Sequence, residues 1–87
     1  MVLSVFSIFD SKLGAYTQPF FLQTTGQAVR AFGDLVAGDT SISKHPEDSS
    51  LYKLAEFDEE SGDFMPVVEG DGFIMDAIDF VDNNDES

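Results

Sequence analysis

The first hydrophobic segment of the chain predicts a strand that is covered on both faces. Nearly every position from residue 2 to residue 9 is apolar or β-branched, so both parities of the pattern are hydrophobic. Residues 10–14 carry turn-forming side chains, and an extended pattern resumes over residues 16–23. We therefore predict a hairpin whose second strand lies at a sheet edge or carries a bulge, because Pro19 cannot donate a hydrogen bond.

The segment that follows has the signals of a helix. Thr24 and Gln27 have the spacing of a capping box, and apolar residues recur at helical spacing as far as Val36. Gly38 is a natural stop for this helix. The polar residues 40–50 then predict a loop.

The second half of the chain predicts two more strands and another helix. Residues 51–57 and 64–68 read as a hairpin, in which Gly62 is available for a positive φ and Pro66 marks an edge or irregular strand. Asp71 is a candidate N-cap for a last helix. The apolar residues on one face of that predicted helix are Phe73, Ile74, Ala77, Ile78 and Val81.

This order of elements predicts an α+β domain, with an antiparallel sheet of about four strands and two helices on one of its faces. We expect one domain over residues 1–82 and an acidic flexible tail over residues 83–87. The 87 residues include nine Phe, more than one covered sheet face needs. Either a second copy covers the other face in a homodimer, or an aromatic surface is exposed for a partner.

Charge divides the chain into two unlike halves. Residues 1–46 carry as many acids as bases, whereas residues 47–87 carry Lys53 and 14 acids, which accounts for the whole net charge of −13. A chain with a pI of about 4.1 is on average repelled by phosphate backbones and by anionic lipid. No apolar run approaches the roughly 20 residues of a membrane span, and no basic leader is evident, so we expect a cytoplasmic protein without a membrane partner.

Catalytic and metal-binding motifs are sparse. His45 precedes Pro46 and two acids, Glu47 and Asp48, and could act as a general base or a metal ligand, but the same residues are typical of a turn. With no Cys and no second His, we predict no metal site and no cofactor. Residues 56–63 lack the spacing of an EF-hand and favour a solvated acidic turn. We predict no catalytic residue and no enzymatic activity.

Several segments carry a family resemblance. They are VFSIFDSK at residues 5–12, QPFF at 18–21, TGQAVRAFGDL at 25–35, KHPED at 44–48 and the hairpin of residues 51–64. In this order they resemble the small nonstructural protein of gokushoviruses, single-stranded DNA phages of the microvirus group. The resemblance implies a DNA-binding accessory protein that acts in genome replication or packaging in the host bacterial cytoplasm. The acidic part from residue 56 onward departs from that family.

Two functional hypotheses follow. In the first, the near-neutral half contacts single-stranded DNA, with bases stacking on aromatic rings and cations meeting phosphates; the candidate residues are Lys12, Tyr16, Phe20, Arg30 and Lys44. In the second, an acidic surface binds a basic partner, either a phage replication or capsid protein or a basic host protein, and so serves as an adaptor or DNA mimic. The candidate residues for that surface are Glu56, Asp58, Glu59, Glu60, Asp76 and Asp79.

Overall fold

The computed structural model describes residues 1–68 and 70–85, with side chains as far as Val81. Within these residues an antiparallel sheet of six strands packs against three helices, which confirms the predicted α+β class. The elements in chain order are β1 (Val2–Asp10), β2 (Ala15–Tyr16), β3 (Phe20–Leu22), α1 (Thr25–Ala37), α2 (Ser41–Lys44), a 3₁₀ turn (Pro46–Asp48), β4 (Ser49–Asp58), β5 (Phe64–Pro66), β6 (Phe73–Asp76) and α3 (Ile78–Asp85).

Two long strands form the centre of the sheet. β1 and β4 run antiparallel from the pair Val2 and Asp58 to the pair Asp10 and Ser49. β2 and β3 both pair with the far side of β1, and β5 and β6 both pair with the far side of β4. The sheet therefore has the four strand positions that the sequence predicts, but each outer position is filled by two short strands.

Thr17 bridges the interruption between β2 and β3. Its backbone N–H donates to the carbonyl oxygen of Ile8 at 2.8 Å, and its Oγ1 accepts from the N–H of Ile8 at 3.1 Å. The buried hydroxyl of Ser7 donates to the Thr17 carbonyl oxygen at 2.7 Å. Pro19 also lies in this interruption. The absence of an N–H group on Pro19 therefore removes no hydrogen bond between β1 and either short strand.

All three helices contribute to one core on one face of the sheet. α1 begins with the predicted capping box, in which Thr24 and Gln27 satisfy each other's backbone N–H groups, and it ends before Gly38 as predicted. The buried members of the core are Phe6, Ile8, Ala28, Phe32, Leu51 and Ala77. The partly buried residues packed against them include Val36 of α1, Ile42 of α2 and Phe80 of α3.

The predicted last helix is wrong over its first turn. Residues 73–76 form β6, which pairs with β4, and α3 begins only at Ile78, so Asp71 does not cap it. A β-bulge in this pair makes Ile74 and Met75 both pack against the core. Phe73, which was expected on the same face as Ile74 and Ala77, lies on the opposite side of the sheet as the partner of Tyr52.

The predicted loop over residues 40–50 contains regular structure. α2, capped by Thr40, and the 3₁₀ turn precede β4, which begins at Ser49. The returning strand is shorter than predicted, since β5 ends at Pro66. Of the predicted tail, residues 83–85 belong to α3, and residues 86–87 lie outside the described residues. No helix in the described ranges combines the length and apolar character required to cross a membrane.

Candidate functional site

The two faces of the sheet differ in their aromatic content. Residues paired across neighbouring strands point to the same face, so the strand register assigns each ring to a side. Phe6, Phe20, Phe32 and Phe80 lie on the helix-covered side. The other seven aromatic residues share the opposite side, which we call the aromatic face: Phe9, Tyr16, Phe21, Tyr52, Phe57, Phe64 and Phe73.

Four rings form the first cluster of the aromatic face, around Tyr52. Tyr16 and Phe73 flank the Tyr52 ring at centroid distances of 5.7 and 5.6 Å, each close to perpendicular to it, at 79° and 72°. Phe9 packs against Tyr16 at 4.9 Å. About half of Tyr16 and of Phe73 is exposed, 51% and 50% respectively, so these two residues offer ring surface to a ligand.

The rings of Tyr16, Tyr52 and Phe73 line a groove of about 380 Å³. The other wall is the turn that connects β5 to β6, in which Gly70 has a positive φ of 91°. Gly72 closes this turn: its carbonyl oxygen accepts from the Lys53 N–H at 2.8 Å, and a Cβ at residue 72 would collide with the Lys53 carbonyl oxygen. The close approach of two backbones therefore shapes the groove.

The second cluster of the aromatic face lies toward the other end of β4. Phe57 and Phe64 are partners across β4 and β5, with ring centroids 4.7 Å apart, and Phe21 of β3 packs edge-on against both. Phe64 is 56% exposed and Phe21 42%. Between the clusters the face is filled by the small buried side chains of Val5, Ser7 and Ala55.

An acidic hairpin adjoins the second cluster. The loop between Phe57 and Phe64 contains four acids, of which Asp58 accepts from the Glu60 N–H at 2.9 Å and stabilises the turn. Gly62 has a φ of 80°, as predicted. Within the described residues, the N-terminal amine is the one cationic group within 4.0 Å of these carboxylates, at 3.7 Å from Glu60. The hairpin therefore presents a concentrated negative charge to solvent.

The predicted acidic surface is divided between two ends of the sheet. Asp76 pairs with Ser50, whose hydroxyl donates to its carboxylate at 2.6 Å, and the Asp79 carboxylate accepts from the Asp76 N–H. Asp58 follows Ser50 by eight positions along β4, which corresponds to about 26 Å. The structure therefore groups the acids of the hairpin at one end and Asp76 with Asp79 at the other.

Glu56 belongs to neither end group. Its register partner in β1 is Ser4, on the parity of the helix-covered side, and its carboxylate lies 3.3 Å from the Lys53 ammonium. The Lys53 side chain is 25% exposed, so this pair is partly shielded from solvent. The charge of Glu56 is consequently balanced within the chain.

The residues predicted to contact nucleic acid do not form one surface. Lys12 lines a groove beside α2 together with His45, and Lys44, next in the chain to His45, lies 3.9 Å from Asp39. Arg30 lines a separate groove between α1 and α3. Of the two predicted aromatic contacts, Tyr16 lies on the aromatic face, whereas the Phe20 ring stacks on Phe6 at 6.0 Å and packs against the core.

The 3₁₀ turn brings together three groups that could ligate a metal. Ligand atoms of His45, Glu47 and Asp48 lie within 4.8 Å of one another, and His45 Nδ1 is 3.6 Å from Glu47 Oε2. Pro46 is the first residue of the turn, which accounts for this juxtaposition by local backbone geometry. Lys12 lines the same groove, and its positive charge disfavours the binding of a metal cation there.

Sequence reasoning missed two central residues of the aromatic face. The sequence identifies Tyr52 only as part of a strand and predicts a helix at Phe73. Strand parity alone places Tyr52 and Phe57 on opposite faces, and they share the aromatic face because a bulge shifts the register of β4 between them. That bulge has no marker in the sequence.

A scan against protein-family models gives a match to the family described as Phage ORF5 protein over residues 3–80. Neither the curated proteins nor the solved structures provide a match. The matched range includes all but the first residue of β1, the strands β2 to β6 and the start of α3, and with them both clusters of the aromatic face and the acidic hairpin. The chain therefore belongs to the Phage ORF5 protein family.

Proposed function

We propose that this phage protein is a non-enzymatic accessory factor that serves the replication or packaging of a single-stranded DNA genome, as in gokushoviruses, by binding a basic protein partner. The observation that carries this proposal is the acidic hairpin of residues 58–63. Its carboxylates project from one end of the sheet, and the N-terminal amine is the one described cation near them. Proteins that bind DNA carry the opposite charge, so such a surface attracts and orients them.

The distribution of cations supports a protein partner over DNA as the direct ligand. The chain has four Lys and Arg residues, and two of them, Lys44 and Lys53, are paired with acids. The remaining two, Lys12 and Arg30, line different grooves. Binding to a single strand depends on a row of cations along the phosphates, which this arrangement does not supply.

The experiment is to neutralise the hairpin without changing its shape. The triple variant Glu59→Gln, Glu60→Gln, Asp63→Asn removes three exposed charges while leaving Asp58, which stabilises the turn, in place. Binding to a labelled cationic peptide of alternating Lys and Gly should weaken about five- to tenfold at low salt, since each exposed ion pair contributes a fraction of a kcal/mol.

The matched control neutralises three exposed acids on the helix side, with Asp34→Asn, Asp39→Asn and Glu47→Gln. Both variants change the net charge equally, so only a localised site distinguishes them. Equal loss in the two variants would show that the peptide responds to net charge alone, and the proposal would be rejected.

Direct contact with single-stranded DNA is a second candidate, favoured by the exposed rings of the aromatic face. Bases stack on aromatic side chains with about 1–3 kcal/mol each. Replacing Lys12, Arg30 and Lys44 by Gln discriminates the two candidates. This variant should lose DNA binding if the strand is held by these cations, and it should keep peptide binding if the acids provide the contact.

A further inference from the structure

Tyr16, Tyr52 and Phe73 line one groove, which we call the aromatic cage. Tyr16 and Phe73 stand nearly perpendicular to the Tyr52 ring on either flank, and all three line the same 380 Å³ space. A group that enters this groove therefore contacts all three aromatic residues. A cation that lies over the face of an aromatic ring is attracted by the quadrupole of that ring.

Two acids adjoin the cage without being part of its lining, Asp71 next to two lining residues in the chain and Asp76 on the same face of β6 as Phe73. Asp71, which is exposed, lies in the turn that forms the other wall, between Gly70 and Gly72. Asp76 follows Phe73 in β6 and shares its face, since its partner Ser50 is also the partner of Phe9. Lys53 lines the groove as well, but its ammonium is 3.3 Å from the Glu56 carboxylate.

The other occupants of an exposed aromatic face fit these charges less well. A nucleotide would bring its phosphate to a chain of net charge −13, and a second copy of the chain would bring a net charge of −13 against −13. A guanidinium is planar and stacks on aromatic rings. It is also more weakly hydrated than an ammonium, so it loses less hydration free energy on entering a groove lined by rings.

Resting on the function proposed above, we infer that the groove of Tyr16, Tyr52 and Phe73 binds an arginine side chain of the basic partner. The guanidinium lies against the rings, and the net charge of −13, with Asp71 and Asp76 beside the groove, favours a cation there. The acidic hairpin then attracts the partner at long range, whereas the cage selects arginine over lysine at short range. No covalent step is involved.

The test compares two peptides of equal length and charge, one alternating Arg and Gly and the other alternating Lys and Gly, each titrated by fluorescence anisotropy. The Arg peptide should bind more tightly. The double variant Tyr16→Leu, Phe73→Leu keeps apolar side chains but removes two rings, so it should weaken Arg-peptide binding roughly tenfold and abolish the difference between the peptides. The conservative variant Tyr16→Phe, Phe73→Tyr keeps both rings, so it should retain the affinity for the Arg peptide and the difference between the two peptides.

A matched control removes two exposed rings from the second cluster, with Phe21→Leu and Phe64→Leu. This variant should leave the preference for arginine unchanged. The inference is overturned if both peptides bind equally and the Tyr16, Phe73 variant has no effect, a result that leaves the hairpin and the proposed function standing. If neither peptide binds the unmodified protein, the proposed function fails, and the inference fails with it.

Discussion

At the scale of single residues, Gly72 has the least space for a side chain of the seven glycines. A Cβ there would meet the Lys53 carbonyl oxygen, and the Gly72 carbonyl in turn accepts from the Lys53 N–H. We predict that Gly72→Ala lowers the free energy of unfolding by about 2–3 kcal/mol, in the upper part of the range for single substitutions, because the clash is with backbone and cannot relax by a rotamer change. Urea unfolding monitored by circular dichroism measures this.

Gly26→Ala is the control for that substitution. A Cβ at residue 26 would meet only Thr24 Oγ1 at 3.8 Å, and alanine is the better helix former in the first turn of α1. Gly26→Ala should therefore be neutral or slightly stabilising. Equal unfolding midpoints for the two alanine variants would mean that the backbone of Lys53 leaves room for a side chain at residue 72.

The residues that could be assigned from sequence are those whose role is local. The positive φ of Gly62 follows from its place in a short acidic hairpin, and the turn at Pro46 follows from proline geometry. Phe20 and Phe21 show the limit of such reasoning, because they are adjacent and chemically identical, yet one packs on the core and the other is exposed on the aromatic face. Only the register with β1 distinguishes them.

At the scale of elements, α1 depends on its N-terminal cap. The Thr24 hydroxyl accepts from the Gln27 N–H at 3.1 Å, and the Gln27 side chain accepts from the N–H groups of Gln23 and Thr24. We predict that Thr24→Ala lowers the free energy of unfolding by about 1 kcal/mol, since it leaves a helix donor without its partner. Thr24→Ser keeps the acceptor and should stay near the unmodified value; a matching loss in both variants, measured by thermal unfolding, would contradict this account.

Prediction of elements succeeded where one periodicity governs a segment and failed where a bulge mixes two. β1 and α1 follow periods of two and 3.6 residues and have clear ends. In contrast, residues 73–81 pass from a bulged strand into a helix. Phe73, Ile74 and Ala77 have the spacing of one helical stripe, although Phe73 lies on the aromatic face and the other two lie in the core. The division of the outer strands into short pieces depends on tertiary hydrogen bonds such as those of Thr17, which no local pattern encodes.

At the scale of the full chain, a net charge of −13 is confined to a fold of only 87 residues. The mutual repulsion of these acids opposes the compact state and is screened by salt. We predict that the thermal midpoint rises as NaCl is increased from about 0.01 M to about 0.15 M, over which the screening length falls from about 30 Å to about 8 Å. Differential scanning calorimetry measures the slope.

The Glu59→Gln, Glu60→Gln, Asp63→Asn variant provides the comparison for that slope. Three of the repelling charges are removed from one hairpin, so the midpoint at low salt should rise and its dependence on NaCl should become shallower. A midpoint that falls with added salt would show that attractive ion pairs outweigh repulsion in this fold.

The charge and the aromatic face together support our proposal that the protein binds a basic partner and not the phosphates of DNA. The most direct test is a pair of anisotropy titrations with one protein preparation, using a labelled single-stranded oligonucleotide and a labelled arginine-rich peptide at low and near-physiological salt. We predict saturable peptide binding at both salt concentrations and no saturable DNA binding even at low salt. Saturable DNA binding with a salt slope of a few phosphates, together with no binding of the peptide, would contradict the account.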